Sequence, residues 1–169
     1  MILGLSLENF TLLHTVISLI GILSGIVVLF AMLNGRNSPG MTALFLATTV
    51  LTSVTGFMFP SASILPSHIV GGISLVVLAA AIAGLYVFRL GGAWRSIYVI
   101  SAVVSLYLNV FVGVVQAFQK LSFLQPLAPT QSEPPFIVAQ TTVLLIFVVL
   151  GFLAVRRFHP NSFGGGYPA

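Results

Sequence analysis

Long apolar runs separated by short polar breaks make up most of the chain. Five runs are long enough to cross a hydrocarbon core of about 30 Å, which needs about 20 residues of α-helix. They cover residues 10–33, 41–59, 69–88, 96–118 and 136–155. The pattern predicts an all-α integral membrane protein with a single bundle of five transmembrane helices in residues 1–158. A polar, glycine-rich end, residues 159–169, is predicted to be a disordered cytoplasmic tail.

The breaks between the runs carry helix start and stop signals. "NGRNSPG" ends the first run and supplies Ser38 as an N-cap and Pro39 as the first helical residue of the second. "RLGGAWR" predicts a tight Gly-Gly turn. "SEPPF" predicts Ser132 as the cap of the last helix, with Glu133 favourably placed near the helix dipole.

The composition excludes several classes of protein. Charged residues make up 5% of the 169 and hydrophobic ones 58%, so a water-soluble domain of this length could not cover its surface. Cysteine is absent, which excludes disulfides, thiolate metal sites and thiol catalysis. No cluster of Lys and Arg alternates with aromatic residues, so no nucleic-acid partner is expected. The lipid bilayer is the predicted partner.

The charges predict one orientation. Glu8, Lys120 and Glu133 fall on one side of the five spans. Five arginines fall on the other side, namely Arg36, Arg89, Arg95, Arg156 and Arg157. By the positive-inside rule, the N-terminus lies outside and the C-terminus inside. We therefore expect a multi-pass protein of the cell inner (plasma) membrane.

The fourth span carries a polar stripe on one face. Its members are spaced by four, four, four, three and four residues: Ser101, Ser105, Asn109, Gly113, Gln116 and Lys120. Strongly polar side chains are costly against lipid, so this face should point into the bundle or a wet cavity. The alternative is that the stripe mainly holds helices together through hydrogen bonds.

Two histidines each begin a small-residue face. His14 precedes Gly21 and Gly25, which form a GxxxG pattern. His68 precedes Gly72 and Gly84 at helical spacing. We expect these four glycines to pack helices together, within the monomer or in a homo-oligomer. His68 follows Pro-Ser and could be an interfacial residue at headgroup depth.

These residues predict a polar pocket in the outer half of the membrane, which binds or passes a small molecule or ion. It consists of His14, Asn109, Gln116, Lys120 and Gln140, with His68 at its rim. His14 would respond to protons or ligand, and Lys120 would attract anions at the entrance. No motif for a nucleophile, metalloprotease or phosphate loop occurs, so no catalytic residues are predicted and an enzyme is not favoured.

Two alternatives remain open. His14 and His68 could be the two axial ligands of a haem b, giving a membrane redox protein, although no cofactor is required by the sequence. The chain could instead be an accessory subunit of a larger membrane complex.

The segment "YLNVFVGVVQAFQKLSFLQPLAPTQSEPPF", residues 107–136, resembles small uncharacterised bacterial inner-membrane proteins. The resemblance covers the fourth span and the loop after it. It implies a bacterial inner-membrane location and no particular activity.

Overall fold

The computed structural model describes residues 2–61, 63 and 66–160, and this part of the chain is helical without a β-strand. The long helices are α1 (Leu7–Leu33), α2 (Pro39–Gly56), α3 (Pro66–Ile82), α4 (Trp94–Lys120) and α5 (Pro134–Arg157). A π-helical turn, Ala83–Val87, extends α3, and a short 3-10 turn, Gln125–Leu127, lies between α4 and α5. The predicted tail falls mostly on residues 161–169, which lie outside the described residues.

In the described part of the chain, four helical segments are long and apolar enough to cross a membrane: Leu7–Leu33, Pro66–Val87, Trp94–Lys120 and Pro134–Arg157. The chain is thus an all-helical protein with the character of a membrane protein. The helix α2 is not among the four. It has 18 residues, of which six are serine or threonine, and these hydroxyl side chains lower its mean hydropathy.

The first four helices form a ring, and α5 lies outside it. The ring closes because α1 packs on α2 and α4, while α3 also packs on α2 and α4. The fifth helix contacts α4 and α1, and Ala154 is its only buried residue. An apolar core fills the centre of the ring towards the end where α1 finishes, and includes Phe45, Leu78, Tyr98, Val99 and Leu106.

Two glycines let α1 approach its neighbours closely. A Cβ atom on Gly25 would lie 2.6 Å from Cδ1 of Leu106 and 2.8 Å from Cδ2 of Phe45. A Cβ atom on Gly21 would lie 3.1 Å from the Asn109 amide nitrogen. The GxxxG face of α1 is therefore covered by α2 and α4 within the monomer, and is not available to a second copy.

The two other glycines expected to pack helices differ from each other. A Cβ atom on Gly84 would lie 3.2 Å from the Trp94 carbonyl oxygen and from the Tyr98 Cβ, at the junction of α3 and α4. A Cβ atom on Gly72 would meet nothing within 4 Å. Helical spacing places both residues on α3 but does not show what lies opposite each one.

Several of the arginine-bearing segments meet at one end of the bundle. Nη1 of Arg95, at the start of α4, donates to the carbonyl oxygens of Val155 at 3.0 Å and Phe158 at 2.6 Å. These carbonyls end α5 and lack intrahelical partners, so the guanidinium acts as a C-terminal cap. The loop after α1 is close by, since a Cβ atom on Gly35 would lie 3.2 Å from the Arg157 carbonyl oxygen.

The turn between α3 and α4 is tighter than its sequence suggests. Besides Gly92, with φ of 53°, both Arg89 and Leu90 adopt left-handed conformations, with φ of 47° and 61°. A bulky residue such as leucine is strained in this region. The backbone N–H of Leu90 donates to the Gly84 carbonyl at 2.9 Å, which ties this turn to the start of the π-helical segment.

The observed starts of α2 and α5 can be compared with the N-caps that the sequence predicts. Ser38 is the N-cap of α2 and Pro39 its first residue, as the sequence indicates, although the Ser38 side chain makes no capping bond. For α5 the N-cap is Glu133 and not Ser132. The Glu133 carboxylate turns back to accept hydrogen bonds from the Thr130 hydroxyl at 2.8 Å and the Ser132 backbone N–H at 3.1 Å.

The close approach at Gly25 predicts a large effect of a single methyl group. We expect Gly25→Ala to lower the free energy of unfolding by about 1–3 kcal/mol, because the core must shift to admit the Cβ atom. Thermal unfolding in detergent measures this. Gly72→Ala is the control, and its midpoint should stay equal or rise slightly, since alanine favours helix. Equal midpoints for the two variants would contradict the packing.

The hydrogen bonds in the loop before α5 predict a shifted pKa for the Glu133 carboxyl group. The hydrogen bond from the Thr130 hydroxyl, followed by backbone N–H bonds, lowers the pKa of Glu133 below its ordinary value. Because folding lowers this pKa, ionised Glu133 stabilises the folded protein. The contribution is fully present above the pKa of Glu133 in the unfolded chain, and it is lost as the pH falls through the pKa in the folded protein. Thr130→Val should raise the Glu133 pKa, measured by the carboxyl ¹³C shift. Thr11→Val, on α1, should leave it unchanged.

Candidate functional site

A cavity of about 520 Å³ lies among α1, α2, α3 and α4, at the end of the bundle where α1 begins. Residues from all four helices line it, and α5 contributes none. Five of the six residues predicted for the pocket and its rim are in this lining: His14, His68, Asn109, Gln116 and Lys120. The ring of helices therefore brings together residues that lie up to 106 positions apart, from His14 to Lys120.

His14 is held in a defined orientation in the cavity wall. Its Nδ1 lies 2.7 Å from the Thr55 hydroxyl oxygen on α2, and that hydroxyl donates to the Leu51 carbonyl at 2.7 Å. Because the Thr55 proton is used, the network assigns the donated proton to His14 Nδ1 and the lone pair to Nε2. The ring also stands edge-on to Phe59, with centroids 5.2 Å apart. His14 thus offers an acceptor nitrogen when it is neutral.

His68 lines the cavity from the first turn of α3. Its ring stacks on Phe57, with centroids 5.6 Å apart and planes 14° from parallel. Phe57 also packs against α3 at Gly71, where a Cβ atom would lie 3.2 Å from its ring. The residues that follow α2 therefore place two aromatic rings, Phe57 and Phe59, beside the two histidines.

Asn109 lies at the deepest part of the α4 side of the cavity. It is 8% exposed, and its amide nitrogen is buried without a hydrogen-bond partner among the described residues. One turn deeper, the hydroxyl of Ser105 is likewise buried and unpartnered. Buried polar groups in native proteins almost always have partners, including ordered water. These two atoms mark the boundary between the polar cavity and the apolar core.

Gln116 and Lys120 lie nearer the mouth. The Gln116 side-chain nitrogen is 3.4 Å from the Gln119 side-chain oxygen, a long hydrogen bond. Lys120 is exposed at the last residue of α4. Lys120 comes eleven positions after Asn109 in the helix, so the α4 wall between them is about 16 Å long at 1.5 Å per residue.

Gln140, the remaining predicted pocket residue, is not part of the cavity lining. Its side-chain nitrogen donates to the Phe111 carbonyl oxygen at 3.1 Å, which joins α5 to α4. Its side-chain oxygen is buried without a partner in the described part of the chain. The structure thus places Gln140 between two helices, on the side of α4 that faces α5.

The hydroxyl groups in the wall are mostly turned towards their own helices. Thr15 and Ser18 on α1 donate to carbonyls four residues earlier, at 2.8 and 2.7 Å. On α2, Thr49 and Ser53 do the same, at 2.7 and 3.0 Å. Each of these bonds uses the only hydroxyl proton, so the wall is less polar than its composition suggests.

Some residues that form or orient the site could not be singled out from the sequence. Thr55, which orients His14, is one of six hydroxyl residues on α2, and nothing in its spacing distinguishes it. Phe57 and Phe59 could have been noticed in the sequence, since aromatic residues often occur at the end of a membrane span. Ser67 and Ser74 also line the cavity, and neither belongs to a polar stripe in the sequence.

The residues that could hold a metal or cofactor are few. No group of three or more His, Cys, Asp or Glu side chains suited to a metal ion occurs among residues 2–61, 63 and 66–160. A haem needs only two axial nitrogens, and both histidines line the same cavity. Ligation of a haem by His14 and His68 stays a prediction.

Comparison of the chain with protein-family models, with curated proteins and with solved structures finds no match in any of the three. The site therefore has to be interpreted from its own geometry.

Proposed function

We propose that the chain is a non-enzymatic multi-pass protein of a bacterial inner membrane, with five spans, whose outer cavity binds or passes a small molecule. The observation that carries the proposal is the cavity of about 520 Å³ enclosed by four helices. Its size lies in the range of ligand pockets, and its accessible lining surface is mainly apolar, although many of the lining residues carry a polar group. The orientation follows from the arginines, which put the cavity on the outer side.

The fifth span in this proposal is α2. At 18 residues, it is about 27 Å long, close to the hydrocarbon thickness. It packs between α1 and α3, and seven of its residues are buried. Its hydroxyls at Thr48, Thr52 and Thr55 donate to carbonyls of the preceding turn. Such internal bonding reduces the cost of placing hydroxyl groups in lipid.

Within the cavity, each polar residue has a distinct proposed role. His14 offers Nε2 to a ligand, because Thr55 occupies Nδ1. Asn109 and Gln116 offer amide groups, and Lys120 attracts negative charge at the mouth. The Thr55 hydroxyl beside His14 donates its proton to the Leu51 carbonyl and not to the imidazole, which favours binding or passage over catalysis.

The five-span topology predicts which loops share a side of the membrane. The chain lacks cysteine, so single-cysteine variants can be labelled without background. We expect Ser61→Cys and Phe123→Cys to react with an impermeant maleimide from outside intact cells. Gly40→Cys should react only after the membrane is opened, since it begins α2 at the opposite end. A Cβ atom there meets nothing within 4 Å, so the variant should fold.

The position of Ser61 separates the two topologies. If α2 did not cross the membrane, Ser61 and Gly40 would lie on the same side. Labelling of Ser61→Cys and Gly40→Cys from the same side would therefore contradict the five-span proposal. Labelling of Gly40→Cys from outside, with Phe123→Cys protected, would contradict the orientation while leaving the number of spans intact.

If the cavity binds a small molecule, a larger side chain that fills part of the cavity should reduce the binding. Gly113 lines the cavity, and a Cβ atom there would meet only Cδ1 of Ile22, at 3.6 Å. We expect Gly113→Leu to reduce several-fold any small molecule that accompanies the purified protein, because the side chain projects into the space. Native mass spectrometry from mild detergent measures it.

Gly72→Leu is the matched control, since it adds the same side chain to a glycine outside the cavity lining. Thermal unfolding of both variants checks that each is folded. The same accompanying masses in wild type, Gly113→Leu and Gly72→Leu, or none in any of them, would contradict a binding role for the cavity.

A further inference from the structure

The charge within the cavity is one-sided. Its lining includes Lys120 and two histidines, and no acidic residue. The chain has only two acids, Glu8 and Glu133, and both lie outside the lining. Glu133 is also occupied by hydrogen bonds from Thr130 and Ser132. A bound cation would therefore meet no carboxylate and would be repelled by the Lys120 ammonium group at the mouth.

The helix dipoles do not alter this balance. The helices α1 and α3 bring their N-termini to the cavity end, while α2 and α4 bring their C-termini, so the partial charges offset one another. The side-chain charge of Lys120 is thus the main electrostatic feature. It lies at the end of α4, where a membrane helix meets the headgroup layer and a lysine can reach water.

Below Lys120 the walls are suited to an apolar chain. Phe57, Leu108 and Val112 present apolar surface. The hydroxyls that alternate with such residues are used by their own helices, as at Ser18 and Thr52, which donate to carbonyls at 2.7 and 2.9 Å. The polar groups left for a ligand are thus those at the mouth, His14 Nε2 in the wall and, about 16 Å below Lys120 by the helical rise, Asn109.

Resting on the proposed function, we infer that the ligand of this cavity is an amphiphile with one anionic headgroup and an alkyl chain. The headgroup pairs with the Lys120 ammonium at the membrane surface, and the chain lies along α4 towards Asn109. In lipid, an apolar chain gains little by leaving other chains for the cavity wall. Selectivity must then come from the headgroup, so the sign of its charge decides which amphiphile binds.

Three probes with one twelve-carbon chain and different headgroups test this inference. Radiolabelled dodecanoate, dodecanol and dodecylamine are added to the protein in phosphatidylcholine nanodiscs, and binding to empty nanodiscs is subtracted. We expect dodecanoate to bind more tightly than dodecanol, and dodecylamine to bind least. Equal or tighter binding of dodecylamine would overturn the inference, whatever the variants show.

Charge variants test whether the preference for an anionic headgroup comes from Lys120. Lys120→Gln should weaken dodecanoate binding by up to about fivefold, the upper end of the range for an exposed ion pair, and should leave dodecanol binding unchanged. Lys120→Arg should restore it. Arg156→Gln removes the same charge at the opposite end of the bundle, where the guanidinium lies 4.7 Å from the Phe152 ring centroid, and should have no effect. Equal effects of Lys120→Gln and Arg156→Gln would overturn the inference.

Two further measurements identify the source of the ligand and distinguish failure of this inference from failure of the proposed function. If added phosphatidylglycerol competes with dodecanoate, the natural anion is a phospholipid headgroup. If it does not compete, the natural ligand is a free acid. Either result supports the inference. Binding of dodecanol and dodecanoate with equal affinity, abolished by Gly113→Leu, would overturn the charge selectivity and leave the proposed cavity function standing. Probe binding that Gly113→Leu does not change would contradict both.

Discussion

The close approach of α1 to α2 and α4 at Gly21 and Gly25 is the contact on which the rest of the bundle depends. At Gly25 there is no room for a Cβ atom between Leu106 and Phe45, so the helices touch there and the core below is closed. At Gly21 the Asn109 amide and threonine hydroxyls take the neighbouring space. The cavity begins at this level, and the same two glycines thus close the core and define the floor of the site.

A second constraint explains why so polar a helix as α2 can lie inside the ring. Lipid offers no hydrogen-bond partners, so each polar group must find one within the protein. The hydroxyls of α2 donate to carbonyls on their own helix. Thr55 also forms a hydrogen bond with Nδ1 of His14. In contrast, Ser105 and Asn109 on α4 keep buried atoms without partners among the described residues.

Much of the architecture could be predicted from the apolar runs, and the pocket in part. The helical class and the positions of the long helices follow from hydropathy over about 20 residues, because the bilayer thickness selects that length. Helical spacing put Asn109, Gln116 and Lys120 on one face of α4. It could not show that Gln140 is bonded to the Phe111 carbonyl on the side of α4 towards α5, because periodicity describes one helix at a time.

The sequence by itself determined that these residues form long apolar helices, and that the strongly polar side chains are too few and too costly in lipid to face it. Only the tertiary structure decided which helices surround which polar groups. It put α5 outside the ring, turned Thr55 towards His14, and left Gly72 without a neighbour while Gly84 meets Tyr98. The reason is physical: a span's hydropathy is a property of its own residues, whereas its neighbours are chosen by shape and hydrogen bonding across several helices.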